Sequence, residues 1–132
     1  MRTHKDVEAY LAQLNRKYQA VEDQPGTYLV STNASMPPVA IRVDPPLVVL
    51  RVHIGDVPKG VDQTELFRKL LGFNAKGLVH TSYGIDDNRI VLSAAHELEN
   101  LDFNEIEATL DEIDLALTQQ IPVLSELSKK NV

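Results

Sequence analysis

Four histidines and a scatter of acids are the residues in this chain whose types could do chemistry. His53, His80 and His96 fall in β-rich runs, and His4 lies near the start of the first helical pattern. A metal needs three or four ligands converging on one point, and the hairpin register argued below sends His80 and His96 to opposite faces of a sheet. Ser82, His80 and Asp86 have the types of a nucleophile, a base and an orienting acid. Residues spaced by two along one strand are spread apart, however, and a triad is defined by geometry rather than by closeness in sequence. Asp86-Asp87-Asn88 is acidic enough for calcium, but it lacks the glycine and closing glutamate of a calcium loop. Hairpin-turn chemistry accounts for it. With no cysteine in the chain, thiolate nucleophiles, disulfides and cysteine zinc sites are all excluded. Neither G-x-G-x-x-G nor G-x-x-x-x-G-K occurs, so the sequence has no glycine-rich phosphate-cradling loop. The residues assign no catalytic, cofactor or metal site. A small hydrolase would require a deep pocket with converging polar groups.

The composition narrows the class further. At 132 residues and 43% hydrophobic, the chain is long enough for one domain with a real core, spanning 1–132. Its formal net charge of −6 argues against a nucleic-acid binder, which needs clustered Lys and Arg to replace counterions. Glu97, Glu99, Asp102, Glu105, Glu107, Asp111, Glu112 and Asp114 make the C-terminal half acidic. They read as a solvated helix face or as a dock for a basic client. The opening MRTHKDVEAY lacks the apolar centre of a signal peptide, and no run approaches the length of a membrane span. A cytoplasmic, soluble domain is the expectation.

Periodicity sets out the elements that must position these residues. Thr3 and Asp6 fit a capping box ahead of a stripe at Val7, Tyr10, Leu11, Leu14, Tyr18 and Val21, which predicts a helix reaching to about residue 21. Pro25-Gly26 breaks the chain. Thr27 to Ser31, Val39 to Val43 and Leu47 to Ile54 read as three strands, with Thr32 to Pro38 a loop and Asp44-Pro45-Pro46 a turn. The proline pairs serve as turn formers rather than as a polyproline ligand. Asp62 is a suitable cap for a short helix carrying Leu66, Phe67, Leu70 and Leu71 on one face, with Gly72 and Asn74 as its stop. A two-residue turn at Asp87-Asn88 pairs Asp86 with Arg89, Ile85 with Ile90 and Tyr83 with Leu92. That register puts Val79, Tyr83, Ile85, Ile90, Leu92 and Ala94 on one face, and Leu78, His80, Ser82, Arg89, Val91, Ser93 and Ala95 on the other. Asp102 and Glu105 form a second capping box. The stripe that follows, Phe103, Ile106, Leu110, Ile113 and Leu117, contributes roughly 1.5–3 kcal/mol per buried side chain. Pro122 interrupts this helix, Val123, Leu124 and Leu127 continue as a short segment, and Lys129-Lys130 complements its C-terminus. The reading is α+β, an antiparallel five-stranded sheet with helices packed on it, in the order α-β-β-β-α-β-β-α.

LLGFN at 70–74, Leu78 four residues on, Tyr83-Gly84-Ile85-Asp86 and Ile90-Val91-Leu92 together resemble the type III secretion chaperone-like superfamily. Within it, the likeness is to the bacterial YbjN group and to CesT-type chaperones, and the element order matches along nearly the whole chain. The resemblance implies a small, cofactor-free, non-enzymatic homodimer. Secretion chaperones of this kind bind an extended segment of a protein client and hold it non-globular, so a dimeric chaperone or adaptor for a protein partner is the expectation. The YbjN group implies instead a sensory or stress-regulatory protein without client-holding activity.

An extended client offers backbone hydrogen-bonding groups and alternate apolar side chains, and a sheet edge beside apolar grooves satisfies both. The candidate dimer or client surface is Leu47, Val49, Leu78 and Val91 on the outer sheet face, with Leu66, Phe67 and Leu70 on the short helix. The alternative for each is plain core, since buried Leu and Val are the rule. No nucleic acid, membrane or cofactor partner is expected.

Overall fold

A computed structural model describes residues 2–32, 36–59 and 63–129. In chain order the elements are α1 (His4–Gln13), β1 (Tyr18–Ala20), β2 (Thr27–Val30), β3 (Val39–Asp44), β4 (Leu47–Asp56), α2 (Gln63–Lys76), β5 (Ser82–Asp86), β6 (Arg89–Glu97), α3 (Phe103–Gln119) and α4 (Ile121–Lys129). The strands form one antiparallel sheet in the order β1-β2-β3-β4-β6-β5. The fold is α+β, as the periodicity predicts, but the sheet has six strands rather than five. The expected cap at Asp62 and the Lys129 and Lys130 side chains lie outside what the structure describes.

The additional strand is cut from what reads in sequence as the tail of the first helix. That helix ends at Gln13, where Leu14 turns to an extended conformation at φ −74° and ψ 146°. Two tertiary contacts override the helical spacing of Tyr18 and Val21. Arg16 is drawn to Asp111 and Asp114 of α3 at 3.1 and 2.6 Å, and Tyr18 meets Tyr28 edge-on with ring centroids 6.4 Å apart. At the other end of α1 both halves of the Thr3–Asp6 capping box are made, so three of the orphan N–H groups at that end have partners.

The short helix also departs from expectation, running through Gly72 and Asn74 to Lys76. A mid-helix glycine costs about 1 kcal/mol against alanine. The two residues after it recover this by packing: Phe73 stacks obliquely on Tyr83 at 6.0 Å and Asn74 bonds to the Tyr83 backbone. The stop falls at Gly77, where an added Cβ would lie 2.9 Å from Gln120 Nε2 and 3.3 Å from the Phe73 carbonyl oxygen, so a larger residue there would make the Gln120 amide shift. β5 begins only at Ser82. Leu78, Val79 and His80 therefore precede the strand, and Leu78 packs against the core instead of lying on the outer sheet face.

The hairpin register is as the side chains dictate, with Asp86 opposite Arg89, Ile85 opposite Ile90 and Tyr83 opposite Leu92. Asp87 and Asn88 have φ of 52° and 70°, the left-handed pair that a two-residue turn requires. All helices lie over one sheet face, where Tyr28, Ile41, Leu50 and Leu92 meet Val7 and Leu11 of α1, Leu66 and Leu70 of α2, and Ile106, Leu110, Ile113 and Leu117 of α3. The Asp102–Glu105 capping box starts α3. The helix breaks at Gln120, and Pro122 falls in the first turn of α4, where its missing N–H does no harm.

Candidate functional site

The polar residues that could do chemistry are dispersed. His53 is on β4 and His96 on β6, and their register positions place them on opposite faces of the sheet. His80 is not on a strand. The Thr109 hydroxyl donates to the Glu105 carbonyl at 2.8 Å and so accepts from His96 Nε2, also at 2.8 Å, which makes His96 a linker between β6 and α3. No three of His, Asp and Glu converge on a metal-sized site among the described residues. Asp86 is taken by Arg51 at 2.8 Å, and Asp87-Asn88 is occupied as the turn. The acids of α3 have internal partners too: Asp111 and Asp114 hold Arg16, Glu105 caps the helix, and the Glu112 carboxylate accepts the N–H groups of Val79 and His80.

No described helix covers the opposite sheet face, and it is not greasy. Arg42 pairs with Asp44 at 3.5 Å, Arg51 with Asp86 at 2.8 Å, and His53 lies 3.4 Å from Asp56. Leu47 is 41% exposed there and Val49 is half-buried. Val91 shares this face yet is only 7% exposed, because the Arg51 side chain crosses β6 on its way from β4 to β5. On the short helix Leu66 and Leu70 are interior at 2% and 4% exposure, while Phe67 is half-buried. Of the seven residues singled out from the sequence, Leu47, Val49 and Phe67 thus present surface. Leu66, Leu70 and Val91 do not, for they are buried, and Leu78, partly buried like Phe67, packs against the core from its place before β5.

What the sequence pattern misses is the rim where α2 meets β5. A cleft of about 270 Å³ opens there between Phe67, Leu70, Leu71, Tyr83 and Ile85. Leu71 is 67% and Ile85 45% exposed beside it. The floor is held rigidly: the Tyr83 hydroxyl donates to Gln120 Oε1 at 2.7 Å, and burial pushes its pKa up to about 12. The Tyr83 N–H donates to Asn74 Oδ1 at 2.7 Å, and Asn74 Nδ2 donates to the Tyr83 carbonyl at 3.1 Å. The i, i+4 spacing of Phe67 and Leu71 conceals the exposure of Leu71, which lies at the edge of an apolar arc centred nearer Leu66 and Leu70.

The opposite edge of the sheet, β1, is different. Ser31 N–H bonds to the Lys17 carbonyl and Val21 N–H to the Thr27 carbonyl, so positions 17, 19 and 21 face β2. The N–H and C=O groups of Tyr18 and Ala20 then point outward, and no described residue pairs with them. A cleft of about 700 Å³ runs beside this edge past Tyr18, Gln19, Leu29 and Pro38. No helix is long and apolar enough to cross a membrane among the described residues.

The family model described as CesT_Tir_1 matches residues 1–130. No curated protein matches the sequence. Among solved structures, a chain of the heterodimeric ExoU–SpcU complex from the type III secretion system of Pseudomonas aeruginosa superposes with a TM-score of 0.68 at 20% identity, covering 88% of this chain and 95% of that one. A chain of the HopA1–SchA chaperone–effector complex gives 0.60 at 12% identity, covering 95% and 91%. YbjN of E. coli, described as a candidate transcription regulator, gives 0.65 at 12% identity, covering 91% and 97%. At these identities the likeness is one of fold.

Proposed function

The chain belongs to the CesT_Tir_1 family, and from that premise we propose that it is a non-enzymatic, protein-binding chaperone that works as a homodimer in the cytoplasm. The observation that carries the dimer is the α2–β5 rim, where Leu71 and Ile85 stand exposed around an apolar cleft. Isolated exposed apolar residues are ordinary, but two beside a concave apolar floor are what a second copy would cover. Phe67 joins this contact, and Leu66 and Leu70 support it from within. The client is an extended polypeptide segment. The Tyr18 and Ala20 backbone groups that no described residue takes supply the partners it needs at β1, and Leu47 and Val49 add apolar contacts on the sheet face away from the helices. Solved chains of this fold from a chaperone–effector complex support the client reading.

Light scattering tests the dimer. The wild type has the mass of two chains and Leu71→Glu with Ile85→Glu that of one; a wild-type mass of one chain at every concentration overturns it. A second reading, a regulator that holds no client, is favoured by the likeness to YbjN and by the Arg42–Asp44 and Arg51–Asp86 ion pairs on the sheet face away from the helices. Failure of the wild type to keep an aggregation-prone extended segment soluble selects that reading.

A further inference from the structure

We infer that Asn74 is the residue that closes the β5 edge to strand addition, and so decides how a second copy meets the α2–β5 rim. The backbone groups that β5 presents are set by its turn. Its two-residue turn makes Asp86 and Arg89 a hydrogen-bonded pair, so by alternation Ser82, Gly84 and Asp86 bond to β6 while Tyr83 and Ile85 face outward. β5 is the last strand of the sheet, and an outward row of this kind is a template for another chain.

Asn74 interrupts the row. Its side-chain amide takes both outward groups of Tyr83, the N–H at 2.7 Å and the C=O at 3.1 Å, just as one residue of a neighbouring strand would. The backbone fixes the orientation of the amide, because only Oδ1 can accept from an N–H and only Nδ2 can donate to a carbonyl. An antiparallel β5–β5 pairing centred on Gly84 would need Tyr83 to bond the partner's Ile85, and both such bonds are already made within the chain. Water could satisfy an exposed edge equally well, so satisfaction alone does not require Asn74; exclusion does. The residue is also a poor helix former in the last turn of α2, which the helix tolerates at some cost. The second copy is therefore left to meet the rim through the side chains of Leu71 and Ile85. That last step rests on the proposed dimer, whereas the closure of the edge stands without it.

Hydrogen exchange on the full chain tests the closure. In the wild type the Tyr83 amide is protected, although it lies at an edge, and the Ile85 amide is not. Asn74→Leu, which keeps the helix, speeds Tyr83 exchange roughly tenfold, the loss of about one hydrogen bond, and adds concentration-dependent species larger than the wild type. Asn74→Asp retains an acceptor and keeps Tyr83 protected, so a loss of protection confined to Asn74→Leu separates edge closure from general unfolding. An unprotected Tyr83 amide in the wild type, or an Asn74→Leu chain with wild-type protection and mass, overturns the inference. A wild-type monomer with a protected Tyr83 removes the dimer and leaves the closure intact.

Discussion

The two edges of this sheet are built on opposite plans. At β5 the chain brings up α2, plants an asparagine amide on the strand's outward backbone and locks the strand's aromatic residue to Gln120. At β1 it leaves a strand of three residues whose outward groups meet no described partner, tethered through Arg16 to α3. Edge strands are hazards that proteins either cover or keep short, and this chain does one at each end. The difference separates two tasks within one layer: a closed edge offers side chains, and an open edge offers a ladder.

The contrast should show first in stability, with the β5 side the more deeply anchored. Tyr83→Ala removes a buried ring and its contacts with Phe73 and Gln120, and is expected to cost about 3–5 kcal/mol in urea unfolding, the range for buried aromatic truncations. Tyr83→Phe keeps the ring and strands the Gln120 side chain, itself buried, at about 1–3 kcal/mol. A loss near zero in Tyr83→Phe would mean that water or a rotated amide replaces the hydroxyl, and the lock would be discarded. Alkaline titration sharpens the same point. The phenol's pKa is raised in the folded state to about 12, so the unfolded chain, titrating near 10, releases its proton first. The stability tied to the neutral phenol is therefore complete below about pH 10 and is lost as pH rises towards about 12. Tyr83→Phe should lack that part of the decline.

On the β1 side the anchor is electrostatic and smaller. Arg16→Ala leaves Asp111 and Asp114 without their cation, and Asp114 is largely covered, its side chain 30% exposed. The expected cost is about 1–2 kcal/mol, more than an exposed pair and less than a buried one. Faster exchange should be concentrated at Gln19 and Val21. Exchange unchanged there would show that the Tyr18–Tyr28 contact holds β1 by itself.

How much of this is written in the residues depends on whether the cause is local. The capping boxes at Thr3 and Asp102, the Asp87-Asn88 turn and the α3 stripe are all decided within a few positions, and each is where spacing and residue type place it. β1 and the C-terminal half of α2 are decided by partners far away in sequence. Tyr18 has helical spacing but is claimed by Tyr28, and Asn74 has the chemistry of a helix stop but is claimed by Tyr83. The surface residues divide for a similar reason. Leu66 and Leu70 belong to the inward stripe of α2, and Leu71, one position on, is turned out. A stripe read as a set cannot say which of its members has solvent in front of it.

The smallest expected effect is also the one that best divides the edges. The Ala20 N–H points away from β2, so Ala20→Pro removes no ladder bond, and an outward edge position is where a strand accepts proline. Its stability should fall by less than about 1 kcal/mol, the cost of adjusting φ alone. Gln19→Pro, one position earlier, deletes a bond to Leu29 and should free β1 from the sheet. If an extended client adds to this edge, Ala20→Pro abolishes its capture while the fold persists, because the ring occupies the space and removes the donor that the incoming strand needs. Proline at Ile85, the equivalent outward position on β5, should leave client capture unchanged, since that edge is closed at its neighbour Tyr83. Equal losses from the two prolines would place the ladder at both ends of the sheet and erase the asymmetry; loss from Ile85→Pro alone would reverse it.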